Sequence, residues 1–109
     1  MLRGFHAHIY FDADQLDEAQ DFAAKAKALL DCPVGHFHEK PVGPHPRGSC
    51  QLTLSPQQFA AFAVWAPEAR GALTIFAHAD TGDDIADHTH NVVWFGPSED
   101  LNLSIFGIG

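Results

Sequence analysis

Basic residues are scarce in this chain. Six Lys and Arg stand against 14 Asp and Glu, a formal net charge of −8. Nucleic acid and anionic membrane surfaces reward clustered Lys and Arg. The single lysine pair, Lys25 and Lys27, shares its predicted helix with Asp and Glu, so neither partner is expected. Cysteine is limited to Cys32 and Cys50, which suits a reduced, cytoplasmic protein rather than a disulfide scaffold. No apolar run approaches the roughly 20 residues of a membrane-spanning helix. The N-terminus enters the strand-like run LRGFHAHIYF directly, so no signal peptide is expected. No repeat, low-complexity stretch or linker divides the 109 residues, and one domain spanning 1–109 is expected. Hydrophobic residues make up 46%, nine of them Phe, enough to build a core at this length.

What the chain has in excess is histidine: eight, at positions 6, 8, 36, 38, 45, 78, 88 and 90. Neutral imidazole is the commonest protein ligand for transition metals and the usual acid/base near neutral pH. Two of the groups, His6/His8 and His36/His38, are i, i+2 pairs in strand-like runs, so each pair shares a sheet face.

The apolar periodicity predicts β-α-β-β-α-β. Residues 4–11 alternate, with Phe5, Ala7, Ile9 and Phe11 on one face and His6, His8 and Tyr10 on the other. Asp12 or Asp14 caps a helix running to about Asp31, where Pro33 stops it. A second strand is expected over 34–40 and a constrained loop over 41–48, PVGPHPRG. A third strand covers 49–54. Ser55-Pro56-Gln57-Gln58 is a capping box opening a second helix that ends near Pro67–Gly71. A fourth strand covers 72–78, a loop carrying His88 and His90 covers 79–91, and a short strand VVWF follows.

That order is the split βαβ, or ferredoxin-like, arrangement: a four-stranded antiparallel sheet with two helices on one face. The opposite face then carries His6, His8, His36, His38 and His78, interleaved with Tyr10 and Phe76. The strands carrying His8 and His78 are antiparallel neighbours in this topology, so those two histidines should meet. Taken singly, each histidine reads as a solvated polar residue. Taken as a set with large rings between them, they suggest a pocket or a subunit interface. Two His plus a carboxylate with open positions suits non-haem Fe(II), and an all-His set suits zinc equally well. Asp80, Asp83, Asp84 and Asp87 offer carboxylates, although a solvated turn suits most of them better.

The stretches His8-Ile9-Tyr10-Phe11, His38-Glu39-Lys40-Pro41-Val42-Gly43-Pro44-His45-Pro46, His78-Ala79-Asp80-Thr81-Gly82, Asp87-His88-Thr89 and Trp94-Phe95-Gly96 form a set. Together they resemble the DOPA 4,5-dioxygenase family. They occur in family order over nearly the whole chain, and PVGPHP is the most specific. Ala79 departs from the proline expected after the histidine. The resemblance implies extradiol cleavage of a catechol by O₂ at a non-haem Fe(II). His8, His45 and His78 are the expected metal ligands, and His38 and His88 the expected acid/base residues. A homodimer is expected to cover the aromatic sheet face. Two rivals come from other classes: a metal-free enzyme or small-ligand carrier, and a binding module without chemistry.

Overall fold

The computed structural model describes residues 1–107. Strand β1, Gly4–Phe11, sits inside a four-stranded antiparallel sheet of order β2-β1-β3-β4, where β2 is Gly48–Leu54, β3 Thr74–Asp80 and β4 Val92–Phe95. Alternation decides which face of β1 is buried in the core. Ala7, Ile9 and Phe11 join Cys50, Leu52 and Leu54 of β2, and Leu73, Ile75 and Ala77 in and beside β3.

Two helices close that face. Asp12 and Gln15 cap each other around a 3₁₀ turn, with the Asp12 amide donating to Gln15 Oε1 at 2.9 Å, and helix α1 follows over Leu16–Leu30. It buries Ala19, Phe22, Ala23 and Ala26 and ends at Asp31 in a left-handed conformation, two residues before Pro33. Helix α2, Pro56–Ala69, opens on the expected box: Gln58 N–H donates to Ser55 Oγ at 3.1 Å, and Ser55 N–H to Gln58 Oε1 at 2.8 Å. Its Phe62 is fully buried and packs edge-on against Phe22 and Phe95. Burial of such a ring contributes roughly 1.5–3 kcal/mol. The ferredoxin-like α+β layout is therefore present.

Three local expectations need correction. Segment 34–40 is not a strand of the sheet. It touches β2 through two isolated bridges, Val34 to Leu52 and His38 to Ser49. The bridge partners are four positions apart on one side and three on the other, so the register slips and a ladder cannot propagate. The fourth sheet strand is VVWF instead. Next, β3 is shifted by two residues from 72–78, running from Thr74 to Asp80. Last, the 79–91 loop contains a helix, α3, Asp84–Thr89, whose cap is Asp83 accepting from Ala86 N–H at 3.1 Å.

The other sheet face is not open. Tyr10 and Phe76 are fully buried within the single chain. Loop 41–48, α3 and the segment after β4 lie over them. Arg47 anchors that last segment with a bidentate pair to Glu99 (3.0 and 2.7 Å), and Asn102 N–H donates to Pro44 C=O at 2.8 Å. Tyr10 and Phe76 are thus covered by their own chain, while Trp94 stays partly exposed.

Candidate functional site

Sheet register builds the site. His6 lies opposite His78, and His8 opposite Phe76, on the pair β1–β3. All three histidines project from the covered face. His8 Nε2 and His78 Nε2 stand 3.1 Å apart, and one nitrogen from each of His6, His8 and His78 falls within 4.8 Å of the others. Imidazole nitrogens lie about 2.0–2.1 Å from a bound first-row ion, so two ligands of one ion stand about 3 Å apart. The His8–His78 spacing fits that requirement.

The protonation states fit as well. His78 Nδ1–H donates to the Ala79 carbonyl at 2.8 Å, which leaves the Nε2 lone pair facing His8. Burial holds the His8 imidazole well below its ordinary range, with His45 and His78 adding like-charge repulsion. Burial also pushes His78 down to about 4. Both rings are therefore neutral near pH 7, the form that binds a metal. His6 is partly exposed, with Nε2 4.0 Å from Asp80 Oδ2. Ala79 has a use for its amide: it donates to Asn91 C=O at 2.9 Å, a bond that proline could not make.

The PVGPHP loop folds over the sheet and brings His45 to His8, ring centroids 4.1 Å apart. A turn closed by His45 N–H to Val42 C=O at 3.0 Å holds it there. His45 is buried, its pKa lowered to about 4 chiefly by burial and then by His88 and His78. Its Nδ1 lies 2.7 Å from the Tyr10 hydroxyl. It is His6, not His45, that completes the three-nitrogen group.

His88 sits on α3 with its ring 4.1 Å from that of His78 and 4.7 Å from Phe106. Its Nδ1–H donates to Asp84 C=O at 2.8 Å, so Nε2 is the acceptor. His38 is exposed, paired with His36 at 4.7 Å between ring centroids. Both line a groove of about 360 Å³ that reaches His8 and His45. A second cavity, about 260 Å³, opens among His6, His8, His45, His78 and His88. His90 is exposed.

The aspartates divide by role. Asp87 is buried and accepts from Thr81 N–H (2.7 Å), Thr81 Oγ1 (2.7 Å) and Asn91 Nδ2 (3.1 Å). Burial alone would raise its pKa, but these hydrogen bonds outweigh that and lower it. It clamps the 81–91 segment, and Asp83 caps α3. Sequence reasoning missed the Tyr10–His45 and Arg47–Glu99 contacts. No local signal carries either, because the partners are 35 and 52 residues apart. The α3 cap was legible in Asp83-Asp84-Ile85-Ala86.

The sequence model of the Dopa 4,5-dioxygenase family matches residues 5–105. A DOPA 4,5-dioxygenase of Amanita muscaria is 30% identical over 112 residues, covering 94% of this chain and 49% of the relative. An uncharacterized 21.2 kDa protein of Botryotinia fuckeliana is 31% identical over 118 residues, covering 95% of this chain and 64% of that one. The chain thus spans about half to two thirds of the curated relatives it matches. A crystal structure of a candidate dioxygenase from Nostoc punctiforme superimposes with a TM-score of 0.83 at 35% identity, covering 97% of this chain and 92% of the other. On matches of that extent, with the fold and the histidine cluster agreeing, the chain belongs to the Dopa 4,5-dioxygenase family.

Proposed function

We propose that this protein is an extradiol dioxygenase that cleaves the ring of a small catechol with O₂ at a non-haem Fe(II) site. One observation carries the reading: three histidine nitrogens within 4.8 Å of one another, on two strands, beside a cavity in a chain of this family. His8 and His78 would hold the metal, as expected from their sequence positions, with His6 as the third ligand in place of His45. Fe(II) bound there supplies Lewis acidity toward the catechol oxygens and the redox chemistry for O₂, and zinc is a redox-inert substitute.

The chain's residues supply the remainder. Three imidazoles leave positions free for substrate and O₂. Phe76 packs against the His8 and His78 rings, 5.9 and 5.5 Å between centroids, and Ile105 and Phe106 line the cavity, so apolar groups limit water on those sides. His88 lies beside His78 with Nδ1 engaged by the Asp84 carbonyl, and would use Nε2 to take the proton of the second catechol hydroxyl. His38, which lines the groove with His8 and His45, would act on substrate binding more than on chemistry.

Iron-loaded protein, purified without a His tag, is incubated under air with DOPA, protocatechuate and caffeate on an oxygen electrode. Oxygen uptake with a rise in near-UV or visible absorbance from the semialdehyde product is expected. No uptake with any catechol would remove the oxygenase reading and favour a metal-free enzyme or a binding protein.

A further inference from the structure

We infer that Tyr10 is a positioning residue that fixes His45 in its Nε2–H tautomer, so that His45 serves the site as a hydrogen-bond donor and not as a metal ligand. The role given to His45 rests on the proposed metal site, whereas its tautomer rests on hydrogen-bond geometry alone.

Tyr10 has no exposed surface and is packed among Phe76, Trp94 and the His45 ring. Its hydroxyl lies 2.7 Å from His45 Nδ1, and no second partner of that hydroxyl occurs among the described residues. A phenol has one proton, and a buried O–H without an acceptor is strongly disfavoured. Burial, reinforced by Glu99, keeps the phenol protonated despite the Arg47 guanidinium 5.9 Å from its ring centroid. If His45 Nδ1 carried a proton, it would either face the Tyr10 proton or donate to the Tyr10 oxygen and leave that buried proton without an acceptor among the described residues. Tyr10 therefore donates, and Nδ1 accepts. The one proton of the neutral His45 ring must sit on Nε2.

A nitrogen that carries a proton has no lone pair to give a metal. The tautomer agrees with the geometry: His45 lies outside the group of His6, His8 and His78 although its ring is 4.1 Å from His8. It also assigns His45 a use. The ring lines both the histidine cavity and the groove, where a bound ligand's oxygen would meet an N–H donor. The ligand class that such a donor favours is an anionic oxygen, such as a phenolate. His78 and His88 are fixed the opposite way, each donating from Nδ1 to a backbone carbonyl. The pocket thus combines imidazoles with a free Nε2 and one with Nε2–H.

Long-range ¹H–¹⁵N correlation spectra of ¹⁵N-labelled protein distinguish the tautomers, with the His45 signals assigned from their absence in His45→Asn. Spectra are taken at a pH where the rings are neutral, without metal and with zinc alone. His45 should show the Nε2–H pattern in both, with Nε2 unmoved by zinc, while His8 and His78 shift. Tyr10→Phe should release His45 to a tautomer mixture with zinc retention unchanged. His45→Asn should also retain zinc. An Nδ1–H pattern in the parent, a zinc-shifted Nε2, or loss of zinc from folded His45→Asn overturns the inference. None of these readouts needs a catechol, so failure of the oxygen electrode experiment leaves the inference standing, and the reverse also holds.

Discussion

His8 and His78, seventy residues apart in the chain, place their Nε2 atoms 3.1 Å from each other on neighbouring strands. The contact follows from antiparallel register. His6 is directly opposite His78, so His8 is the diagonal neighbour on the same face.

Removing either imidazole should remove the metal site. His8→Ala and His78→Ala are expected to lose metal by more than the roughly 10–100-fold that an outer-shell change costs. His6→Ala should weaken binding while leaving the His8–His78 pair. Metal analysis and zinc titration calorimetry check this. Tight one-to-one binding in His8→Ala would refute the assignment.

The metal-free protein should lose stability in mild acid. Burial lowers the pKa of His8, His45 and His78 in the folded state, the latter two to about 4, against 6.5 for an exposed histidine. Between those values the unfolded chain binds more protons than the folded one, so stability falls as pH drops from about 6.5 toward 4. The slope is up to about 1.4 kcal/mol per pH unit for each histidine. Denaturant unfolding at a series of pH values measures it, and a flat profile over that window would contradict the buried neutral cluster.

Phe76→Asp should unfold the chain itself rather than dissociate a dimer. The ring is fully buried and packs 4.7 Å from Trp94 between ring centroids. Placing a carboxylate there costs on the order of 4 kcal/mol or more. Calorimetry with light scattering separates the outcomes. A variant with parental melting temperature and altered association would restore the homodimer interface expected from the sequence.

Arg47 and Glu99 tie the segment after β4 to the PVGPHP loop. Both side chains are about three-quarters buried. Arg47→Ala or Glu99→Gln should each cost about 1–2 kcal/mol. The double variant should cost less than the sum, because either change alone breaks the same pair. Amide exchange should quicken in residues 99–106, with substrate KM affected more than kcat. Additive losses would show that the two side chains act independently.

Much of this protein was determined locally. Strict alternation in GFHAHIYF assigns Ala7, Ile9 and Phe11 to the core and His6, His8 and Tyr10 to the other face, since side chains in a strand have a period of two. Ser55-Pro56-Gln57-Gln58 marks a helix start because its hydrogen bonds span three residues. The split βαβ order makes His8 and His78 neighbours. Where only long-range packing decides, sequence was silent or misleading. VGHFHEK has strand-like spacing but pairs with β2 through two bridges whose registers differ by one residue. The direction taken by the PVGPHP loop, and thus the meeting of His45 with Tyr10, depends on contacts between residues 35 apart. The covering of the aromatic face depends on Arg47 finding Glu99, 52 residues away. Periodicity records which side of an element avoids water. It does not record which segment keeps the water out, because that is chosen by the packing of distant stretches of chain against one another.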